Sequence, residues 1–202
     1  EFSVGPLTAH IGPGAGDWGQ RKGNVVTKAQ PYVVLSTLPN GTEIRHYPSH
    51  TLISFEVDTS FEAAGNRAFS PLVTYISGAN SRGDRMAMTS PVVHEPHGSS
   101  HLISFVLPEG TSAADAPVPV NADVMVRDVE PREVAALRFS GSWKKDRAER
   151  YANRLRESLA DHGVLPCGEV FFGRFDPPTV PGFLRHNEAL VEVESRLRAQ
   201  ST

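Results

Sequence analysis

Thr59-Ser-Phe-Glu-Ala-Ala-Gly-Asn-Arg-Ala-Phe-Ser-Pro-Leu-Val-Thr-Tyr-Ile-Ser-Gly78 is the stretch around which the rest of the chain is arranged. Phe61, Ala64, Ala68, Leu72, Tyr75 and Ile76 recur at three- and four-residue intervals, which makes one apolar stripe and predicts an amphipathic helix. Thr59 and Glu62 have the spacing of a capping box, and Gly78 falls where a left-handed stop belongs. Pro71 lies inside the pattern and predicts a kink, because its ring removes a donor and crowds the preceding turn. Downstream, Asp84-Arg-Met-Ala-Met-Thr-Ser-Pro-Val92 is expected to be a strand with Met86 and Met88 on one face. A kinked helix over such a strand encloses an apolar groove. Ordinary core packing is the competing reading for every one of these side chains.

Upstream of the helix, residues 31–38 and 42–47 read as strands joined by Pro39-Asn40-Gly41, which has hairpin chemistry. Residues 51–57 alternate well enough to form a half-buried strand. Beyond the methionines, the stretch from His94 to His101 reads as a polar hairpin loop and 101–107 as a strand. Residues 109–122 are rich in Pro and Ala and are expected to form an extended surface connection. The order then repeats: strands at 124–129 and 133–139, a helix over 142–162 capped by Ser142, and strands at 169–175 and 188–193, with a rigid Pro-rich turn at 176–181. Each half reads strand, strand, helix, strand, strand. Two such halves are expected to merge their sheets into one domain over 31–193, flanked by an irregular arm (1–30) and a polar tail (194–202).

Composition narrows the function classes. The net charge is −3 with acids and bases nearly balanced, which argues against a nucleic-acid binder. No apolar run approaches a membrane span, and the first residues lack the basic start and apolar run of a signal peptide. A cytoplasmic protein is expected, with a secreted or periplasmic one whose N-terminus has been processed as the alternative. The single cysteine, Cys167, excludes an intrachain disulfide. Arg is preferred over Lys alongside abundant Ala, Gly and Pro, a usage that suits a bacterial source.

Catalytic signatures are missing: there is no Gly-x-Ser-x-Gly elbow, Walker loop, His-Glu-x-x-His or dinucleotide fingerprint. Their absence does not exclude an enzyme, because a cleft can host unfamiliar chemistry. A binding protein, an enzyme working in the same cleft, and a small-molecule sensor or protein-interaction module are the readings to separate. His94, His97 and His101 are spaced so that one hairpin could gather three imidazoles for zinc or copper, against the competing reading of a solvated loop. Alternation along 43–47 puts His46 on the face of Ile44, opposite Arg45 and Tyr47.

Several runs carry a resemblance. Glu43-Ile-Arg-His-Tyr47, Phe61-Glu-Ala-Ala64 followed by Ala68-Phe69, Tyr75-Ile-Ser-Gly-Ala-Asn80 and Met86-Ala-Met-Thr-Ser-Pro-Val92 come first. Leu102-Ile-Ser-Phe-Val-Leu-Pro-Glu-Gly110, Leu137-Arg-Phe-Ser-Gly141, Phe175-Asp-Pro-Pro178 and Arg185-His-Asn-Glu188 follow in the same order. Over about residues 31–193 the chain resembles the SOUL/heme-binding protein family. The resemblance implies an α+β fold: a distorted antiparallel β-barrel of two pseudo-twofold repeats with two packed helices, shared with gyrase-inhibitor-like domains. It also implies a carrier, buffer or scavenger of heme b or a related tetrapyrrole. Such a ligand needs an apolar slot, cations for its carboxylates and optionally an axial ligand for iron. The implied walls are Phe61, Phe69, Leu72, Tyr75, Met86 and Met88, and the implied carboxylate partners are Arg45, Arg67, Arg85 and Arg174. His46 takes the place of a histidine proposed as axial ligand in some family members.

Overall fold

A computed structural model of the protein describes residues 28–177 and 179–194. In chain order the elements are β1 (Lys28–Ala29), β2 (Val33–Thr37), β3 (Glu43–Tyr47), β4 (His50–Val57), α1 (Phe61–Ile76), β5 (Thr89–His97) and β6 (Ser100–Val106). They continue with β7 (Val124–Val129), β8 (Arg132–Phe139), α2 (Lys145–Asp161), β9 (Pro166–Arg174) and β10 (Asn187–Val193). The arm at 1–27 and the end of the tail lie outside the described residues.

One ten-stranded sheet runs β2-β3-β8-β10-β9-β5-β6-β4-β7, and β1 adds to β5. The β1–β5 pair is parallel and every pair along that path is antiparallel, so the class is α+β. From the β5–β9 junction the order steps outward through β6, β4, β7 on one side and β10, β8, β3 on the other. Successive side chains alternate between the two faces of a strand. Even and odd positions accordingly feed different cores.

Both helices lie on one face. Under α2 pack Ile44, Ala135, Leu137, Phe139, Val170, Phe172, Ala189 and Val191. Under α1 pack Ile53, Ile103, Phe105, Leu107 and Val124. The opposite face curls on itself, bringing Tyr47, Val134, Phe171 and Leu190 against Leu52, Val106 and Val129 from the far strands. The curl stops short of closure. The path ends at β2 and β7, which do not pair with each other, so the expected barrel is an open, strongly curved sheet. Its concave side is filled by side chains, with a void of only about 20 Å³ beside Tyr47, Leu52 and Leu190.

Helix α1 forms where its stripe predicts, with Ala64, Ala68, Leu72, Tyr75 and Ile76 all buried. It runs unbroken through Pro71. Gly78 stops it at φ +112°, a conformation that costs a residue without Cβ nothing. The capping box does not form: the N-cap is Ser60, with no side-chain cap. Glu62 instead accepts the Lys145 backbone N–H at 2.9 Å, so it caps the other helix. Helix α2 accordingly starts at Lys145 after an N-cap at Lys144, rather than at Ser142.

Two further expectations change. The methionine segment is a strand only from Thr89 onward. Its earlier part is tied down by the Asn80 amide, which donates to the Tyr75 and Asp84 carbonyls and accepts from the Arg82 and Asp84 N–H groups. A side chain thus satisfies backbone groups that a neighbouring strand would otherwise take. The histidine stretch is no loop: β5 continues to His97, and a tight connection through Gly98, at φ +59°, leads into β6.

Candidate functional site: the space between the helices

The expected slot between α1 and the sheet is solid. Leu72 and Tyr75 are fully buried against the strands beneath them, and the Tyr75 hydroxyl donates to the Pro117 carbonyl at 2.8 Å. Both are core residues. Arg67 and Phe69 sit on the outer flank of α1; Phe69 is 48% exposed and meets Phe105 edge-on at 6.0 Å. Met86 and Met88 are half-buried against the same core, and Arg85 is exposed.

His46 lies elsewhere. It is half-buried on β3, opposite Val33 and Glu133, on the face it shares with Ile44. Helix α1 covers β4 and β6, and β3 stands five strand spacings from β6, about 24 Å along the sheet at ~4.8 Å per step. The structure therefore does not bring His46 together with the α1 residues. Its neighbour Arg45 is fully engaged: it forms a two-pronged pair with Glu188 (2.6 and 3.0 Å), reaches Glu43 at 2.7 Å and lies 4.2 Å from the Tyr32 ring. Burial pulls the guanidinium down, yet Glu188 outweighs it and holds its pKa above the usual range. Burial pushes the Glu188 carboxyl up, and its hydrogen bonds from His186 (2.7 Å) and Arg45 bring it below the usual range.

Where α1 and α2 approach each other, the sheet floor is uncovered and a cavity of about 480 Å³ remains. Its walls are Phe61, Phe172 and Val170 with Ala148 and Ala152 of α2, and Lys145, Glu149, Asn153 and Arg156 stand at its mouth. Ligand pockets usually span roughly 300–1,000 Å³. A space of about 280 Å³ beside Pro71 and Val120, and one of about 230 Å³ beside Cys167 and Glu192, are smaller.

A cluster of rings forms one side of the cavity. Phe61 stacks on His94 (4.5 Å) and on Trp143 (4.9 Å), and Phe172 meets both Phe61 and Trp143 edge-on. His101 stands edge-on to His94 at 4.8 Å. Register explains the pairing: Pro96 is opposite His101, so His94 and His101 are diagonal neighbours on the helix-bearing face. His97 points the other way, largely exposed and 3.9 Å from Glu56. The three histidines therefore do not converge, and no group of three His, Cys, Asp or Glu side chains among the described residues is arranged for a metal ion.

His94 is 1% exposed, and neither ring nitrogen has a hydrogen-bond partner. Burial, then His101 and Arg174, hold its pKa down to about 3, so the ring is neutral. Arg174 lies 5.0 Å from the Trp143 ring and over Gly65, where a Cβ would fall on the guanidinium. Burial and Arg185 lower its pKa. Trp143 and Phe172 carry no periodic signal that marks them as site residues. They come from the β8–α2 connection and from β9, and only the folded sheet brings them to Phe61.

The architecture, an open antiparallel sheet with two helices on one face, defines a fold class seen in other solved structures. The EcmrR C-terminal domain is similar at TM-score 0.57 and 11% identity, covering 76% of this chain and 97% of that one. A hydrolase from Listeria innocua is similar at TM-score 0.52 and 8% identity, covering 79% and 94%. At such identities these likenesses show the fold alone. Within that class the chain belongs to the SOUL heme-binding protein family, whose model matches residues 27–192. Heme-binding protein 1 of Xenopus laevis is 27% identical over 154 residues, 72% of this chain and 80% of that protein. Heme-binding protein 2 of Homo sapiens is 27% identical over 142 residues, 66% and 69% of the two chains. No helix among the described residues is long and apolar enough to cross a membrane.

Proposed function

We propose that the protein binds a tetrapyrrole, heme b in the first instance, and acts as its carrier or buffer, with the inter-helix cavity as the binding site. The observation that carries the reading is the cavity itself: about 480 Å³, walled by Phe61, Phe172 and Val170, in a member of this family. Flat aromatic walls suit a planar macrocycle, because offset and edge-on ring contacts add to apolar burial. Lys145 and Arg156 at the mouth suit its carboxylates. When bound, heme would supply an iron centre; the chain's own part is to shield a large apolar plane from water. Most of the lining groups offer surface rather than acid–base chemistry, which favours holding over turnover.

A second location has one observation in its favour. Phe69 is 48% exposed on α1, and Met86 and Met88 are half-buried against the core of the same helix. Titration with hemin separates the two. Wild-type protein is expected to saturate at one hemin per chain in competition with apo-globin. Asn153→Trp, which lays an indole across the mouth from an exposed position, is expected to weaken hemin by about tenfold, equivalent to ~1.4 kcal/mol. Phe69→Ser is expected to leave the affinity unchanged. The reverse pattern moves the site to the α1 flank, and absence of saturable binding refutes the tetrapyrrole reading.

A further inference from the structure

The cavity contains two imidazoles that the fold itself does not use. Buried polar groups are nearly always hydrogen-bonded, and one left without a partner costs stability. His94 is such a group on both nitrogens, in a place where a leucine or phenylalanine would pack without that cost. His101 is half-buried, and its Nδ1 is enclosed without a partner, while its Nε2 is not among the enclosed nitrogens. Both residues are among those that line the cavity. A neutral imidazole in an apolar space offers a lone pair that little water competes for, and imidazole is a preferred donor to iron.

Other histidines lack this setting. His46 stands at the far side of the sheet, His97 faces the opposite surface, and His186 is bonded to Glu188. Resting on the tetrapyrrole reading above, we infer that His101 Nε2 is the axial ligand to the iron of a heme held in this cavity. His94 is a positioning residue. Its ring lies edge-on to His101 at 4.8 Å and is itself fixed by stacking on Phe61, so it limits the orientations His101 can adopt.

The test uses the full chain with two probes, hemin and metal-free protoporphyrin IX. Wild-type protein with ferric hemin is expected to show a nitrogen-ligated Soret band and electron paramagnetic resonance spectrum. His101→Ala is expected to lose that signature and weaken hemin by about tenfold or more, and to hold protoporphyrin IX as tightly as the wild type. Added imidazole should restore the spectrum of His101→Ala. His94→Leu should retain nitrogen ligation with a shifted, broadened resonance, and His46→Ala should match the wild type. Binding of protoporphyrin IX shows that each variant is folded. The assignment is overturned if His101→Ala keeps the wild-type spectrum, if it loses both probes in parallel, or if His46→Ala removes the signature. Should neither probe bind the wild type saturably, the tetrapyrrole reading fails and takes the assignment with it. Saturable hemin binding that His101→Ala does not alter refutes the assignment alone.

Discussion

Glu188→Ala is expected to destabilise the protein by about 3–5 kcal/mol, read as a lower urea midpoint at unchanged slope. The Glu188 side chain is 1% exposed and its partner Arg45 is 5% exposed. A guanidinium so enclosed cannot recover the lost carboxylate from water. Glu43 reaches only its Nε and Tyr47 offers a hydroxyl at 3.2 Å, so one full charge is left inadequately paired. The penalty comes from that stranded charge rather than from the strength of the pair. The double variant Arg45→Met/Glu188→Leu should therefore be much closer to the wild type than Glu188→Ala alone, because burying two apolar side chains leaves no charge behind. A loss below about 1 kcal/mol in the single variant would mean that water reaches Arg45. The pair also has a pH signature. The Glu188 carboxyl is held below its ordinary value of 4.5, so the folded state sheds its proton more readily than the unfolded state. That stabilisation is complete above pH 4.5 and is lost as pH falls through the folded value.

The Arg45–Glu188 pair also marks where reading the sequence reaches its limit. Alternation places Arg45 opposite His46 on β3, and β3 does present them so. That β10 supplies the acid, 143 residues away, depends on sheet order, which no local pattern encodes. The same limit removed His46 from the α1 residues: its face was legible and its distance was not. Helix α1 was legible because a 3.6-residue period over sixteen residues is a strong local signal. Glu62 shows the weakness of short spacings, since a capping-box interval served a helix 83 residues further on. The histidine stretch was obscured by its polarity, which reads as a loop. Strand β5 tolerates Pro96 because β9 pairs only with Val92, Val93 and His94, so the missing N–H at Pro96 faces no strand on that side. With β5 extended, His94 turns from a loop residue into a buried one. An open sheet was likewise not legible, because closure depends on whether β2 meets β7, and both end strands read as ordinary alternating strands.

His94→Leu is expected to leave stability at pH 7 equal or higher and to remove a large part of the acid sensitivity between pH 6.5 and 4. The reason is a difference in proton affinity between states. In the unfolded chain His94 titrates near its ordinary value of 6.5, and in the folded protein it is held down to about 3 by burial, by His101 and by Arg174. Above pH 6.5 the ring is neutral in both states and contributes no pH dependence. As pH falls below 6.5 the unfolded state takes up a proton that the folded state refuses, so stability falls by about 1.4 kcal/mol per pH unit. At pH 5 that amounts to about 2 kcal/mol. Carboxylates such as Glu188 act mainly below pH 4.5, so the interval from pH 6 to 5 is the cleanest. His50, whose pKa burial also lowers, contributes there with the same sign, and it does so equally in the wild type and in His94→Leu. The difference between the two curves of unfolding free energy against pH therefore isolates His94. A widening gap below pH 6.5 supports a dry, neutral imidazole. Parallel curves would show that His94 protonates inside the fold, which requires water or an anion beside it, and its lone pair would then be contested.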